Sequence, residues 1–269
     1  MAPGVGGCGP RGRRRVDGFL GMDLGLTGRT AIVCGASSGL GLAAAEALAE
    51  EGAHVVMLAR RRDLLDEEAR RVGGLALAGD VRDPADLEHA VSTAVETYGG
   101  LDILVPNSGG PPPARADEID AERVQEAVEL LLLPVVRLVT LALPHLLASE
   151  QGRIVLISSL AVREPTAHLA LTNAVRPGVV GYMKSLANEL GPNGITVNSV
   201  APGRIATARL SELYGSDGPP PDEIAKIPSR RLGEPRELGA LVAFLCSSRA
   251  SYVSGTHIPV DGGLYRGLL

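Results

Sequence analysis

Thr30-Ala31-Ile32-Val33-Cys34-Gly35-Ala36-Ser37-Ser38-Gly39-Leu40-Gly41-Leu42, continuing to Glu50, is the stretch on which the fold of this chain turns. Five β-prone residues lead into a glycine-punctuated turn. The turn leads into an Ala/Leu/Glu-rich segment, Leu42–Glu50, with helical character. Glycines at such a turn let the backbone double back and approach a ligand closely, and the N–H groups and dipole at the start of the following helix favour an anion. A glycine pattern alone is weak; its position between a strand and a helix gives it force. Gly35, Ser37, Ser38, Gly39, Leu40 and Gly41 are therefore expected to hold the pyrophosphate of a dinucleotide.

The same alternation continues outward from this unit. Short apolar segments at His54–Leu58, Leu75–Ala78, Ile103–Val105, Ile154–Ile157, Thr196–Val200 and His257–Val260 read as strands. Between them lie helical stretches, among them one opened by Asp83 and Pro84, a long one from Glu122 to Leu147 that Pro134 and Pro144 would bend, Asn173–Leu190 and Glu237–Leu245. Continuously apolar strands, each followed by a helix, imply a parallel sheet buried on both faces. The expected fold is a single Rossmann-type, doubly wound α/β domain over residues 22–269, with about seven strands and helices on both faces. Ligands of such sheets sit at the carboxyl ends of the strands.

Composition narrows the function classes. The chain has 269 residues, 45% of them apolar, a net charge of −5, only 3% aromatics and no Trp. An acidic chain with few aromatics lacks both the basic field and the stacking surfaces of a nucleic-acid binder. Cys8, Cys34 and Cys246 are an odd number without metal-ligand spacing, which points to a reducing cytoplasm, no disulfide framework and no metal site. The apolar stretch Val135–Leu147 is short and interrupted by Arg137, Pro144 and His145, so no membrane partner is expected. Residues 1–21 are rich in Gly and Arg and lack the apolar segment of a secretory signal. They are expected to be a disordered extension, or to precede a true start at Met22.

The second strand ends in Ala59-Arg60-Arg61-Arg62. A carboxylate here would bind the 2′-hydroxyl of NAD; Ala59 offers none, whereas Arg60 or Arg61 would pair with a 2′-phosphate, favouring NADP(H) over NAD(H). The bland reading is that these arginines form a solvated helix start with Asp63 and Asp66. The third strand ends at Gly79-Asp80-Val81, where a carboxylate would accept from the adenine amino group.

These features, with further motifs in order, resemble the short-chain dehydrogenase/reductase family, especially its β-ketoacyl-ACP (3-oxoacyl-ACP) reductase-like members. The resemblance runs from Leu24 to Gly263. It rests on the glycine turn, Gly79-Asp80-Val81, Asn107-Ser108-Gly109, Gly152-Arg153-Ile154-Val155, Ile157-Ser158-Ser159, Gly194-Ile195-Thr196-Val197-Asn198, Pro202-Gly203 with Thr207, Arg231-Leu232-Gly233-Glu234-Pro235, and Pro259-Val260-Asp261-Gly262-Gly263. It implies that Asp80, Val81, Asn107 and Gly109 line the cofactor, that Pro202, Gly203 and Ile205 lie beside the nicotinamide carboxamide, and that Thr207 approaches the phosphates. Arg209 to Pro228 would be the mobile substrate-side loop. The protein would be a homotetramer or homodimer, pairing through its fourth and fifth helices, and the substrate a small molecule or an acyl-carrier-linked compound.

The resemblance also implies an Asn-Ser-Tyr-Lys tetrad, and here the chain departs from it. The serine falls on Ser159. The tyrosine falls on Thr172, the lysine on Arg176 and the asparagine on Leu131. A phenol near pKa 10 can be brought towards neutrality by a cation; a threonine hydroxyl is far less acidic. Arg176 would still hold ribose hydroxyls but cannot release a proton in a relay, and Leu131 cannot hold a relay water. The catalytic candidates are thus Ser159, Thr172 and Arg176, with His168, one helical turn before Thr172, as a replacement acid or an idle loop residue. Tyr182 is expected in the core or an interface, and Cys34, where the family commonly has Thr, is expected to weaken the tie between the glycine turn and Asn107. Three functions are compatible: an NADP-dependent oxidoreductase with an altered proton donor; a cofactor-binding, redox-inactive homologue acting as sensor or inactive subunit; and a non-redox dehydratase, isomerase or cyclase using Ser159, Thr172 and Arg176 on an oxyanion.

Overall fold

The computed structural model describes residues 22–215 and 217–268; the expectation for residues 1–21 lies outside them. The chain runs β1 (Thr30–Cys34), α1 (Gly39–Glu50), β2 (His54–Ala59), α2 (Arg62–Val72), β3 (Leu75–Ala78), α3 (Pro84–Tyr98), β4 (Ile103–Val105), α4 (Ala121–Leu131), α5 (Leu133–Ala148), β5 (Arg153–Ile157), α6 (Ala170–Leu190), β6 (Thr196–Pro202), α7 (Ala208–Tyr214), α8 (Pro221–Ala225), α9 (Pro235–Cys246) and β7 (His257–Val260).

The strands form one seven-stranded sheet in the order β3-β2-β1-β4-β5-β6-β7, parallel at every pairing. The order reverses direction at β1, so the crevice between β1 and β4, at the carboxyl ends, is where this architecture places a ligand. Strand residues alternate between two cores. Ile32, Cys34, Val56 and Leu104 pack against α3, α4, α5 and α6 through Leu87, Ala127, Leu138 and Val179. Ala31, Val33, Val55 and Ile103 pack against α1, α2 and α9 through Leu48, Leu65 and Val242. Burial on both faces explains why these strands read as unbroken apolar runs.

The single long helix expected over 122–147 is two helices. Asp120 caps α4, its carboxylate accepting from Arg123 N at 2.8 Å. The break falls at Leu132, just ahead of Pro134, whose ring cannot continue the preceding turn. Pro144 lies inside α5 without ending it. The span 121–148 is, by length and composition, apolar enough to cross a membrane, but it is bent at Leu132 and 39% of its most apolar stretch is packed inside the fold. The stretch expected as a substrate-side loop carries two short helices, α7 and α8. Tyr182 is half-buried at the margin of the α3–α6 core, as expected of a packing residue.

Candidate functional site

The glycine turn is built for a close approach. Gly35 and Gly39 have positive φ values of 62° and 60°, a region that β-carbon-bearing residues avoid. A Cβ on Gly41 would stand 2.3 Å from the Gly35 carbonyl oxygen, so α1 packs against the turn only because residue 41 has no side chain. Ser38 is the N-cap of α1, and its side chain makes no capping hydrogen bond; the first turn carries no acidic residue. The helix start is therefore open to an anion rather than satisfied internally.

Arg61 reaches back over this turn. Its guanidinium donates to Ser38 Oγ at 2.6 Å and Ser37 Oγ at 3.4 Å. A cation is thus fixed beside the glycine turn, at the end of β2, where the sequence leads one to expect a partner for a 2′-phosphate. Arg60 is exposed at the same strand end and lies close enough to Asp80 to help hold its carboxyl below the usual range, although the main cause is hydrogen bonding from Arg82. Asp80 is held in turn by its own N–H donating to Asp86 Oδ2 at 2.7 Å.

On the other side of the crevice, Asn107 Nδ2 donates to the Cys34 carbonyl oxygen at 3.2 Å. The Asn107 backbone N–H also faces the Cys34 sulfur, so the tie from β4 to the glycine turn has a side-chain link, in which a thiol is a weak acceptor, and this link to the carbonyl besides. Burial pushes the Cys34 thiol up to about 12, which leaves it an inert packing group. Asn107 also guards the turn, since a Cβ on Gly35 would meet its Nδ2 at 2.5 Å. Thr207, the N-cap of α7, lies across from Gly39, its Cγ2 3.5 Å from where a Cβ there would be. A Cβ on Gly203 would meet Asp261 at 2.6 Å, so Pro202-Gly203 is locked onto the residue following β7. Ile205 is buried and bridges to Gly233. Val81 lines the cavity described next, and Gly109 lies in the loop after β4.

Two of the positions at which the sequence departs from the expected tetrad lie side by side. Leu131 and Arg176 line one cavity of about 10 Å³ with Cys34, Asn107, Ser108 and Ile157, room for a single water. Leu131 is fully buried at the end of α4. Arg176 is 9% exposed, and among the described residues its one hydrogen bond runs from Nη1 to the Ile157 carbonyl oxygen at 3.3 Å. Burial, with a smaller contribution from nearby Arg209, lowers its guanidinium to about 10, so it remains a cation at neutral pH. Thr172 is buried one turn earlier on α6. Ser159 follows β5 and caps the next turn, its Oγ accepting from Ala161 N at 3.1 Å.

His168 is exposed and adopts a positive φ of 60°, one of two non-glycine residues to do so among those described. Its carbonyl accepts from Ala114 N at 2.8 Å, and Ala170 N returns a bond to Ala114 O at 3.2 Å, which knits the loop after β4 to the entrance of α6. His168 lines a wide cleft of about 980 Å³ with Leu160, Leu169, Arg204, Tyr214, Glu223 and Tyr265. Ser159 and Thr172 are not among the residues that line it. Sequence reading missed Arg209. Its Nη2 donates to the Pro111 carbonyl oxygen at 2.8 Å and its Nη1 contacts Glu212 at 3.0 Å, which fastens α7 to the proline-rich loop after β4. The available signal was an arginine two residues beyond the phosphate-side Thr207.

Comparison with known proteins agrees with this geometry. Residues 35–265 match a family model described as enoyl-(acyl carrier protein) reductase. The chain is 35% identical over 244 residues to the 3-oxoacyl-[acyl-carrier-protein] reductase FabG of Vibrio cholerae, covering 90% of this chain and 99% of that protein. It is 33% identical over 244 residues to dehydrogenase/reductase SDR family member 4 of Oryctolagus cuniculus, covering 88% and 94%. Among solved structures, L-sorbose reductase from Gluconobacter frateurii complexed with NADPH and L-sorbose superposes with a TM-score of 0.84 at 34% identity, covering 92% of this chain and all of that one. YwfH, an NADPH-dependent reductase involved in bacilysin biosynthesis, superposes at 0.85 with 28% identity, covering 89% and 99%. The glycine cradle, the sheet order and likeness along nearly the whole chain converge: this protein belongs to the short-chain dehydrogenase/reductase family.

Proposed function

We propose that this protein is an NADP(H)-dependent oxidoreductase that reduces a ketone, on a small molecule or an acyl-carrier-linked one, with a proton donor other than the family's tyrosine. The observation that carries the reading is the open cradle with its fixed cation: Gly41 packed on Gly35, an uncapped α1 start, and Arg61 held over Ser37 and Ser38. Relatives named as 3-oxoacyl reductases and neighbours crystallised with or named for NADPH support it.

NADPH, when bound, supplies a hydride to the carbonyl carbon. Gly35 to Gly41 hold its pyrophosphate, Arg61 with Arg60 its 2′-phosphate, Asp80 and Val81 its adenine, and Asn107, Gly109, Pro202, Gly203, Ile205 and Thr207 the nicotinamide half. Arg176 hydrogen-bonds the ribose as a permanent cation. Ser159 orients the substrate oxygen, and Thr172 narrows the pocket beside it. His168, held in a strained conformation on the cleft wall, delivers the proton. The α4–α5 pair together with α6, which correspond to the fourth and fifth helices of the sequence reading, form the surface through which we expect a homodimer or homotetramer to form, in the cytoplasm.

The direct test is NADPH titration followed by turnover against a panel of ketones. Binding together with NADPH oxidation supports the proposal. Tight binding without turnover on any ketone favours a redox-inactive homologue, the reading to which Leu131, Thr172 and Arg176 lend weight. Product formation with the nicotinamide left unchanged would point to a dehydratase, isomerase or cyclase.

A further inference from the structure

The two short helices that follow β6 have little apolar surface to hold them. Among the described residues from 208 to 228, only Leu210, Pro219 and Ile227 are buried, and α8 itself buries none. Gly215 and Gly218, with positive φ values of 87° and 73°, leave the link between the helices short of side chains to pack. A segment with so little burial keeps its place through polar ties and opens when they break.

Arg204 supplies such ties to both helices. Its backbone is fixed: Gly233 N donates to its carbonyl at 2.9 Å, and the preceding Gly203 N donates to the Val260 carbonyl at 3.0 Å. From this base the side chain forks. Nε donates to the hydroxyl of Tyr214, the last residue of α7, at 3.2 Å, and the guanidinium lies 5.9 Å from the centre of that ring. Nη2 forms an ion pair with Glu223 of α8. The Arg204 and Glu223 side chains are 19% and 20% exposed, so water and salt screen the pair less than they would on an open surface. Lys226 also pairs with Glu223, but it caps the same helix and does not tie it to the body. Leu213, Tyr214, Glu223 and Lys226 line the wide cleft, which Leu160, His168 and Leu169 line as well. One arginine, directly after Pro202-Gly203, therefore decides where a wall of that cleft stands.

We propose that Arg204 is a positioning residue that latches α7 and α8 as a closed wall of the wide cleft, and so sets how tightly substrate is held without taking part in hydride or proton transfer. The role rests on the proposed function for the substrate's place in this cleft; the latch itself stands on Arg204, Tyr214 and Glu223. Arginine suits it because a planar fork reaches two partners at once, where the compact ammonium of a lysine would not.

The test is amide hydrogen exchange read by mass spectrometry, with the peptides of β1 and α1 as reference. In Arg204→Met the amides of α7 and α8 should exchange about tenfold faster and the reference should not change, from the worth of hydrogen bonds to a charged group. Arg204→Lys, which can keep the pair with Glu223 but not bond Tyr214 as well, should restore α8 more than α7. If Arg204→Met does not fold, Tyr214→Phe combined with Glu223→Gln releases the same helices from their own side. On a ketone that the protein reduces, Arg204→Met should raise KM about tenfold and leave kcat unchanged or higher, since an open wall frees product sooner. Unchanged exchange in α7 and α8 would overturn the latch. A lower kcat at unaltered KM would overturn the positioning role and put Arg204 in the chemistry. Faster exchange in a protein that reduces no ketone would overturn the oxidoreductase reading and leave the latch standing.

Discussion

The two halves of the crevice, one on either side of β1, have different histories written in them. On the β1-β2-β3 side every special feature serves one shape. Gly35 and Gly39 take left-handed conformations, Gly41 lets α1 touch the turn, and Arg61 lies across the serines. On the β4-β5-α6 side, the positions where the resemblance leads one to expect Asn, Tyr and Lys carry Leu131, Thr172 and Arg176. The replacements are not scattered. Leu131 and Arg176 share one small cavity, with Thr172 one turn from Arg176. A buried leucine beside a buried arginine leaves no chain of water and amine through which protons would pass. Holding a cofactor and moving a proton would thus fall to different sides of the crevice, and under the proposed function this molecule keeps the first while altering the second.

The sharpest way to break that contrast is to restore the proton path. The triple variant Leu131→Asn, Thr172→Tyr, Arg176→Lys should raise kcat for NADPH-dependent reduction of a neutral ketone by about 10²–10⁴-fold, the ordinary worth of a positioned general acid. Steady-state NADPH oxidation measures it. No gain would mean that the pocket wall, and not the missing phenol, limits turnover.

A second intervention works on the kept side. Gly41→Val places side-chain carbon against the Gly35 carbonyl oxygen, where a Cβ alone would already stand at 2.3 Å. Backbone cannot yield there as a flexible side chain would. Overpacking of this kind costs about 1–3 kcal/mol, which corresponds to a loss of roughly 10–100-fold in NADPH affinity if it falls on the cradle. Fluorescence titration of NADPH reads it, and a far-UV spectrum separates a distorted cradle from an unfolded chain. Unchanged affinity would remove the glycine turn from the binding site.

Arg61→Ala acts on the same side more gently. The guanidinium is exposed, so its contribution to a 2′-phosphate is reduced by solvent. NADPH should bind about tenfold more weakly and NADH about as before. Equal effects on both nucleotides would assign Arg61 to the pyrophosphate or to helix solvation instead.

Much of this contrast was legible in the sequence, for physical reasons that differ between its parts. The β1–α1 unit is local: residues 30–50 contain the strand, the turn and the helix, and each glycine has its cause within a few residues. The departures at Leu131, Thr172 and Arg176 were legible because motifs on either side fix their register. The meeting of Leu131 and Arg176 in one cavity was not, since it depends on how α4 and α6 pack. The break at Leu132 was foreshadowed by Pro134 but displaced from it, because proline disturbs the turn ahead of itself. Cys34 was legible in part: its side-chain link to Asn107 was expected, whereas the second link, from the Asn107 amide to the carbonyl of residue 34, was not, because any residue type would supply it. Arg209 was invisible as a site residue because its partner Pro111 is 98 positions away in the chain.

The smallest expected effect concerns what pins the rebuilt side in place. Arg163, four residues after Ser159, donates from Nη2 to the His257 carbonyl at 2.7 Å and from Nε to its Nδ1 at 3.3 Å, and its guanidinium lies 5.3 Å from the Tyr265 ring centre. With Nδ1 accepting, the ring proton sits on Nε2, which is buried without a partner. Burial, then the charge of Arg163, lowers His257 to about 4. A histidine in the unfolded chain titrates near 6.5, so between these values the unfolded state binds more protons and folding weakens as pH falls. That contribution is complete above about pH 6.5 and gone below about 4. Protonation would also turn Nδ1 from acceptor to donor and push Arg163 away, loosening the segment that follows Ser159 while the glycine cradle at the other side of the crevice keeps its bonds. In His257→Gln, the fall in Tm between pH 7 and pH 5 should be smaller than in the parent by about 2–4 °C, the shift that roughly 1 kcal/mol produces in a chain of this size. Equal pH dependence in the two proteins would show that β7 does not hold the segment through this ring.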